Sequence, residues 1–245
     1  MKFVIIAAMQ EELDTLTRFI PLVNKKVIKS SIYEYTIGDY DLERGIEVII
    51  GISGVGRVAS ALLISNLNQT FNLTKDDYII NLGTAGGTSK VNVSDIVVGL
   101  NCLYGDVNLS VFESKYRYGQ MSKCPLQFMG DERLIKLLKK SDFKLKYGDI
   151  CTNESFMVDK EKCDKLISDH FSDLNIMAFD MESAAYAQSC VLMGNNFLAI
   201  RYISDVIGME NQDDVFEASI SDADKMGLKI SLYLLENIWG CKWKI

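Results

Sequence analysis

Five continuous apolar runs recur along the chain, at Phe3–Ala8, Val48–Ile52, Tyr78–Leu82, Ile96–Leu100 and Phe197–Ile203. Unbroken runs suit central strands covered on both faces, where a half-exposed strand would alternate. Helical spacing fills the intervals. Leu13, Leu16 and Ile20 share a face of Glu11–Ile20, and Ala59, Leu62 and Leu63 a face of Val58–Leu67. Asp131–Leu138 and Glu182–Met193 follow, and Ala223–Ile238 repeats Met226, Ile230, Leu234 and Ile238 at the same spacing. Strands alternating with helices predict an α/β sandwich around a mixed, mainly parallel sheet. Residues 26–52 break the rhythm. Short runs around Ile28, Ile32, Tyr35 and Ile37, with turn residues at Gly38-Asp39 and Gly45, predict antiparallel hairpins. No linker, repeat or low-complexity stretch divides the chain, so residues 1–245 are expected to form one domain.

Composition narrows the chemistry. The 245 residues are 48% hydrophobic and 24% charged, an ordinary globular balance. The 33 acidic residues outnumber the 26 basic ones for a net charge of −7. Phosphate-tracking nucleic-acid binders carry the opposite excess, so no nucleic-acid partner is expected. The single histidine, His170, excludes a zinc site built from two or three histidines, and no metal is expected. Any Ser-His-Asp triad would have to use that residue. Cys102, Cys124, Cys151, Cys163, Cys190 and Cys241 show no C-x-x-C spacing and read as scattered, reduced thiols. The run Phe3–Met9 leads straight into Gln10-Glu11-Glu12, where a signal peptide would place small residues and a cleavage site. No run reaches the roughly 18 residues of a membrane span, so a soluble, cytoplasmic protein without a membrane partner is expected.

Two glycine clusters and three carboxylates stand at predicted strand–helix junctions. Gly54, Gly56 and Ala59 fit a G-x-G-x-x-A dinucleotide fingerprint, but the next strand ends Asn81-Leu82-Gly83-Thr84, without the acidic residue that grips a ribose. A tight, closely packed strand-to-helix turn explains the same glycines. Asn81-Leu82-Gly83-Thr84-Ala85-Gly86-Gly87 reads as a loop offering backbone N–H groups at the end of a strand. Glu12 lies just after the first strand, Glu182 sits at the start of a small-residue helix, and Asp205 ends the apolar strand Phe197–Ile203. Any one of them alone could be a helix cap. Together they mark one carboxyl edge of one sheet, where α/β proteins bind ligands.

At this level of detail the chain resembles the nucleoside phosphorylase superfamily and, within it, the 5′-methylthioadenosine/S-adenosylhomocysteine nucleosidases. The resemblance runs from Lys2 to about Leu235 and rests on ordered blocks. These are Ile5-Ile6-Ala7-Ala8-Met9-Gln10-Glu11-Glu12, Ser53-Gly54-Val55-Gly56, residues 81–87, Tyr118-Gly119-Gln120, Met181-Glu182 and Arg201-Tyr202-Ile203-Ser204-Asp205-Val206. It implies a three-layer α/β/α sandwich around a mixed central sheet, hydrolysis of the N-ribosidic bond of 5′-methylthioadenosine and S-adenosylhomocysteine, release of adenine, and no cofactor. Such cleavage needs a proton donor for the departing base, an activated water and a clamp on the sugar hydroxyls.

The resemblance implies Asp205 as the acid at adenine N7, positioned by Ser204. It implies Glu12 as the group that activates water with Arg201 close by, and Glu182 as the acceptor of the ribose hydroxyls, supported by Met181. Thr84, Ala85 and Gly86, the ring of Phe156 and the backbone of Met157 are expected around the base. Met9, Val55 and Phe216 are expected around the 5′-thioalkyl group, with Leu109, Phe112 and Tyr116 reaching in from the second subunit of a homodimer.

Several positions depart from the family pattern. Thr84 stands where serine is common, Gln10 and Asp180 replace glutamates, and residues 103–118 form a slightly longer stretch. Ile207-Gly208-Met209-Glu210 is an unusual sequence ahead of the helix that helps close the pocket. Three rival readings remain at this stage. A phosphorylase on the same fold would want a cationic cradle. The first loop offers Glu11-Glu12 instead, and the only cation by the second turn, Arg57, is expected to be solvated or structural. An NAD-binding oxidoreductase would use Gly54-Val55-Gly56. A nucleoside-binding module would need neither acid nor base.

Overall fold

The computed structural model describes residues 1–241. In chain order the strands are β1 (Lys2–Ala7), β2 (Val23–Ser30), β3 (Tyr33–Asp41), β4 (Ile46–Ile52), β5 (Tyr78–Gly87), β6 (Ile96–Tyr104), β7 (Phe128–Met129), β8 (Leu145–Thr152), β9 (Ile176–Asp180) and β10 (Asn196–Val206). The helices are α1 (Asp14–Phe19), α2 (Arg57–Phe71), α3 (Glu132–Leu138), α4 (Lys160–His170), α5 (Ser183–Met193) and α6 (Gln212–Asn237).

The layers follow from side-chain alternation along apolar strands. On β1, Val4 and Ile6 join one core cluster while Phe3, Ile5 and Ala7 join another on the opposite face. The first cluster meets α2 and α5 through Leu63, Ile64, Leu67, Ala184, Ala187 and Cys190. The second meets α1, α3 and α6 through Leu16, Leu134, Leu138, Ile230 and Leu234. Complete burial of each such aliphatic side chain contributes about 1.5–3 kcal/mol. The result is the three-layer α/β/α sandwich around a mixed sheet.

β1 lies between β4 and β5, parallel to both, and β5 runs parallel to β10. The expected hairpins are β2–β3 and β3–β4, with Lys25, Lys26 and Lys29 along the exposed edge strand β2. Lysines on an edge discourage pairing with another chain. At the other end the sheet curls. β10 pairs with β6, β6 with β8, β8 with β9, and β9 returns to the end of β5 at Gly86↔Phe179 and Gly87↔Ala178. The ends of β5, β9 and β10 are thereby drawn together.

Three differences from the sequence reading bear on the site. Residues 81–87 are strand, not a free loop, since β5 pairs with β10 as far as Gly87↔Val206. Most of their N–H groups therefore serve the sheet. β8 and α4 carry mixed polar and apolar residues and β9 has only five residues, and periodicity alone did not reveal them. α6 starts at Gln212, ahead of its regular apolar stripe at Ala223, and this extra length reaches the site. Cys102, Cys151, Cys163 and Cys190 are buried free thiols and Cys124 is partly buried; the side chain of Cys241 lies outside those described. Among the described residues, no helix is long and apolar enough to cross a membrane.

Candidate active site

A cavity of about 240 Å³ opens at the carboxyl ends of β1, β5, β9 and β10. Of the expected residues it is lined by Met9, Glu12, Val55, Thr84, Ala85, Gly86, Phe156, Met157, Met181, Glu182, Ser204 and Phe216. Ala8, Phe179 and Asp180 also form its wall. No Lys, Arg or His of the described residues lines it, whereas three carboxylates do.

Glu12 sits in a short 3-10 turn, Gln10–Glu12, directly after β1. Its Oε2 accepts from the N–H groups of Ala8 at 3.2 Å and Met9 at 3.1 Å, which ties down the turn locally. Its Oε1 reaches across to β5 and accepts from Thr84 N at 2.9 Å and Thr84 Oγ1 at 3.1 Å. Thr84, expected by the base, lines the cavity and also serves Glu12. The carboxylate approaches the strand because residue 83 is glycine. A Cβ there would stand 3.0 Å from Glu12 Oε1 and 3.3 Å from Arg201 Nη1. Burial pushes the Glu12 carboxyl up from its ordinary value, and the Thr84 and Met9 N–H groups and the Arg201 charge oppose that rise.

Arg201 is fully buried behind the wall and does not touch the cavity. Its Nε donates to Asp180 Oδ2 at 2.8 Å and its Nη2 to Ser183 Oγ at 2.7 Å, with a further bond to Asn81 Oδ1. The expected closeness to Glu12 is therefore electrostatic; the ion pair it makes is with Asp180. Asp180 and Thr152 also satisfy the first turn of α5. Asp180 Oδ2 accepts from Ser183 N at 3.2 Å, and Thr152 Oγ1 accepts from Ala184 N at 2.9 Å while donating to Asp180 Oδ1 at 2.6 Å. This work by Asp180 frees Glu182. Although Glu182 is the N-cap of α5, its side chain makes no capping bond.

Glu182 Oε1 instead accepts from Gly56 N at 2.9 Å. Gly56 has φ +94°, a left-handed value that aims its N–H away from α2 and towards the cavity. The glycine pair that resembled a dinucleotide fingerprint so spends this N–H on a carboxylate. Burial, with the Asp180 charge adding to it, pushes Glu182 up to about 7 against the Gly56 N–H and Arg201. Arg57 is structural, paired with Asp106 and with Glu154 Oε2 at 2.6 Å.

The base end is built differently. The β5–β10 register slips between Ile203 and Asp205, so Ser204 is the extra residue of a bulge. Bulges beside sites re-aim side chains. Here the Ser204 hydroxyl donates to Asp205 Oδ1 at 2.6 Å. Asp205 is fully buried and is not among the residues lining the cavity. Its Oδ2 accepts from Gln212 Nε2 at 2.5 Å, a partner that sequence reasoning missed. Burial raises the Asp205 carboxyl, and the bonds from Ser204 and Gln212 oppose this. Phe156 is 46% exposed and meets Phe216 edge-on, with ring centroids 5.8 Å apart. Leu109, Phe112 and Tyr116 do not line this cavity; Phe112 is exposed on the 3-10 segment Ser110–Lys115.

Asn81, Thr152, Asp180, Ser183 and Gln212 were not singled out as site residues. Asp180 was noted as a departure next to Glu182, and that adjacency was the available signal. Gln212 lay in a segment whose helical phase had no apolar stripe to reveal it.

Known proteins match this geometry over nearly the whole chain. The sequence model of the phosphorylase superfamily covers residues 2–236. The 5′-methylthioadenosine/S-adenosylhomocysteine nucleosidase of Bacillus pumilus is 35% identical over 217 residues, 86% of this chain and 88% of the relative. The S-adenosylhomocysteine nucleosidase of Streptococcus pyogenes, solved in complex with 5-methylthiotubericidin, superposes with a TM-score of 0.85 at 32% identity, covering 97% of both chains. The nucleosidase of S. pneumoniae, solved with the transition-state inhibitor MT-ImmA, gives 0.85 at 30% identity, covering 97% of this chain and 100% of the other. The chain belongs to the phosphorylase superfamily and, within it, to the 5′-methylthioadenosine/S-adenosylhomocysteine nucleosidases.

Proposed function

We propose that this protein hydrolyses the N-ribosidic bond of 5′-methylthioadenosine and S-adenosylhomocysteine, releasing adenine and the thioribose. One observation carries the choice of water over phosphate. The cavity is walled by Glu12, Asp180 and Glu182 and by no cation of the described residues. Three carboxylates repel a phosphate nucleophile, and they favour the positive charge that grows on the sugar as the bond breaks.

In this reading Glu12 takes a proton from the attacking water. Three of its four hydrogen-bond donors are fixed backbone groups, and the Thr84 hydroxyl is the one that can turn aside for a water. Glu182 accepts from the ribose hydroxyls while Gly56 holds its Oε1. It rejects deoxy sugars because they leave a buried carboxylate unpaired. Asp205 delivers a proton to N7 so that adenine leaves neutral. Phe156 stacks on the base, the Met157 backbone meets its edge, Ala85 and Gly86 form its floor, and Met181 supports Glu182. Met9, Val55 and Phe216 wrap the apolar 5′ group. Arg201 is a positioning residue that fixes Asp180 and, through it, the start of α5.

The residues act as one catalytic domain, needing neither cofactor nor metal. Exposed Phe112, with Leu109 and Tyr116, supports a homodimer in which these side chains complete the neighbour's pocket. The reduced thiols fit a cytoplasmic enzyme of methionine salvage. The test is turnover of 5′-methylthioadenosine with and without phosphate. Free methylthioribose at equal rates is expected; a sugar 1-phosphate formed only with phosphate would overturn the reading.

A further inference from the structure

Gln212, the first residue of α6, is 7% exposed and has both side-chain polar atoms engaged. Its Oε1 accepts from Gly208 N at 3.2 Å. Its Nε2 donates to Asp205 Oδ2 at 2.5 Å and to the Met157 carbonyl at 3.1 Å. These two acceptors are the groups that the nucleosidase reading, on which this inference rests, assigns to the leaving base. The 6-amino group and N7 of adenine share one edge of the ring. An acid that reaches N7 therefore finds the amino group beside it, ready to donate to a neighbouring acceptor. A carboxamide NH2 is the same kind of donor: planar, with two N–H bonds diverging from one nitrogen.

We propose that Gln212 is a built-in competitor for the base site, its side-chain amide holding the hydrogen bonds on Asp205 and Met157 that the amino-bearing edge of adenine takes when the nucleoside binds. Asp205 has one oxygen on Ser204 and the other, beside the cavity-lining Gly86, on Gln212, so a base that reaches this second oxygen meets Gln212 there. Ser204 is held on the same strand by the bulge. Gln212 is a long side chain at a helix end and is the partner that leaves. It lies one turn from Phe216, which packs on Phe156, so its release is coupled to the aromatic wall around the substrate. At the Met157 carbonyl the exchange replaces one NH2 donor with another, and at Asp205 it replaces an amide donor with the N7 acceptor, which a protonated carboxyl satisfies. Its cost appears in affinity, because a ligand that binds only the unplugged form has an apparent dissociation constant equal to the intrinsic one divided by the fraction of sites that are open.

The experiment compares wild type with Gln212→Met, which keeps the length of the side chain and removes the amide, and with Gln212→Ala as a second variant. Adenine affinity is measured by calorimetry, and kcat and KM with 5′-methylthioadenosine. Adenine is expected to bind about tenfold more tightly to both variants, with KM lowered and no gain in kcat. The adenine-induced rise in Tm should exceed that of wild type even if the ligand-free Tm falls, a result that lost packing alone does not produce. Unchanged or weaker adenine binding in both variants, with an active wild type, overturns the competitor role. A wild type that releases no adenine overturns the nucleosidase reading and this inference with it.

Discussion

The two ends of the cavity are held by different kinds of bond. The proposed function assigns one end to the sugar and the other to the base. At the sugar end so assigned, Glu12 is gripped by backbone N–H groups of two elements, and Glu182 by the N–H of Gly56. Asp180 and Arg201 form a buried ion pair that also caps α5. At the base end, Asp205 is bonded by the side chains of Ser204 and Gln212, and the aromatic cover is half-exposed Phe156 and Phe216. Backbone donors cannot rotate away, whereas side chains can exchange partners. In the proposed function the sugar end is thus preorganised for charge development, an arrangement that needs no reorganisation during reaction. In the same proposal the base end rearranges as a flat ring enters and leaves.

The largest expected effect breaks the rigid end. Glu12→Gln replaces acceptor oxygens with an NH2 that must face fixed N–H donors, and adenine release should fall about 10²–10⁴-fold, the range for a lost acid–base group. Single-turnover kinetics near the wild-type rate would mean that other groups hold the water. Asp205→Asn should lose turnover on the same scale while adenine still binds by calorimetry, because the exchangeable end retains its shape. Next, Asp180→Ala leaves the Arg201 charge buried without its partner. That should cost about 3–5 kcal/mol in denaturant unfolding. A loss below about 1 kcal/mol would show that the ion pair is not what holds this end together.

The pH dependence sharpens the contrast further. The folded Glu182 carboxyl sits at about 7 against an ordinary 4.5, so the folded chain holds this proton longer than the unfolded chain does. Its contribution to stability is therefore full below about 4.5 and is lost as pH rises towards 7. Glu182→Gln should flatten the fall in Tm between pH 5 and 7. A fall as steep as wild type in the variant would assign the proton to another group. The smallest effect is at the exposed ring. Phe156→Ala should weaken adenine binding about tenfold, within the roughly 1–3 kcal/mol of base–aromatic stacking, and barely change Tm. A large drop in Tm would mean that the ring is core and not cover.

Much of this was legible in one dimension. Apolar runs located β1, β4, β5, β6 and β10 because a strand buried on both faces leaves an unbroken run. Glu12 and Asp205 were visible because each stands beside such a run, and Glu182 because it opens a helix of small residues. The order of the blocks pointed to the family that the comparisons bear out. Short or mixed elements escaped. β9 has only five residues, and the start of α6 has no stripe.

What the chain determined alone was its long apolar strands, the identity of its acids and the exclusion of a zinc site built from several histidines, since these depend on local pattern and residue type. Tertiary structure decided which acid does which work. Asp180 and not Glu182 caps α5, Thr84 serves Glu12, Arg201 acts from behind the wall, and Gln212 covers Asp205. Each of these depends on hydrogen bonds between residues far apart in sequence or on the phase of a helix, and a partner chosen by folding leaves no mark in the local pattern.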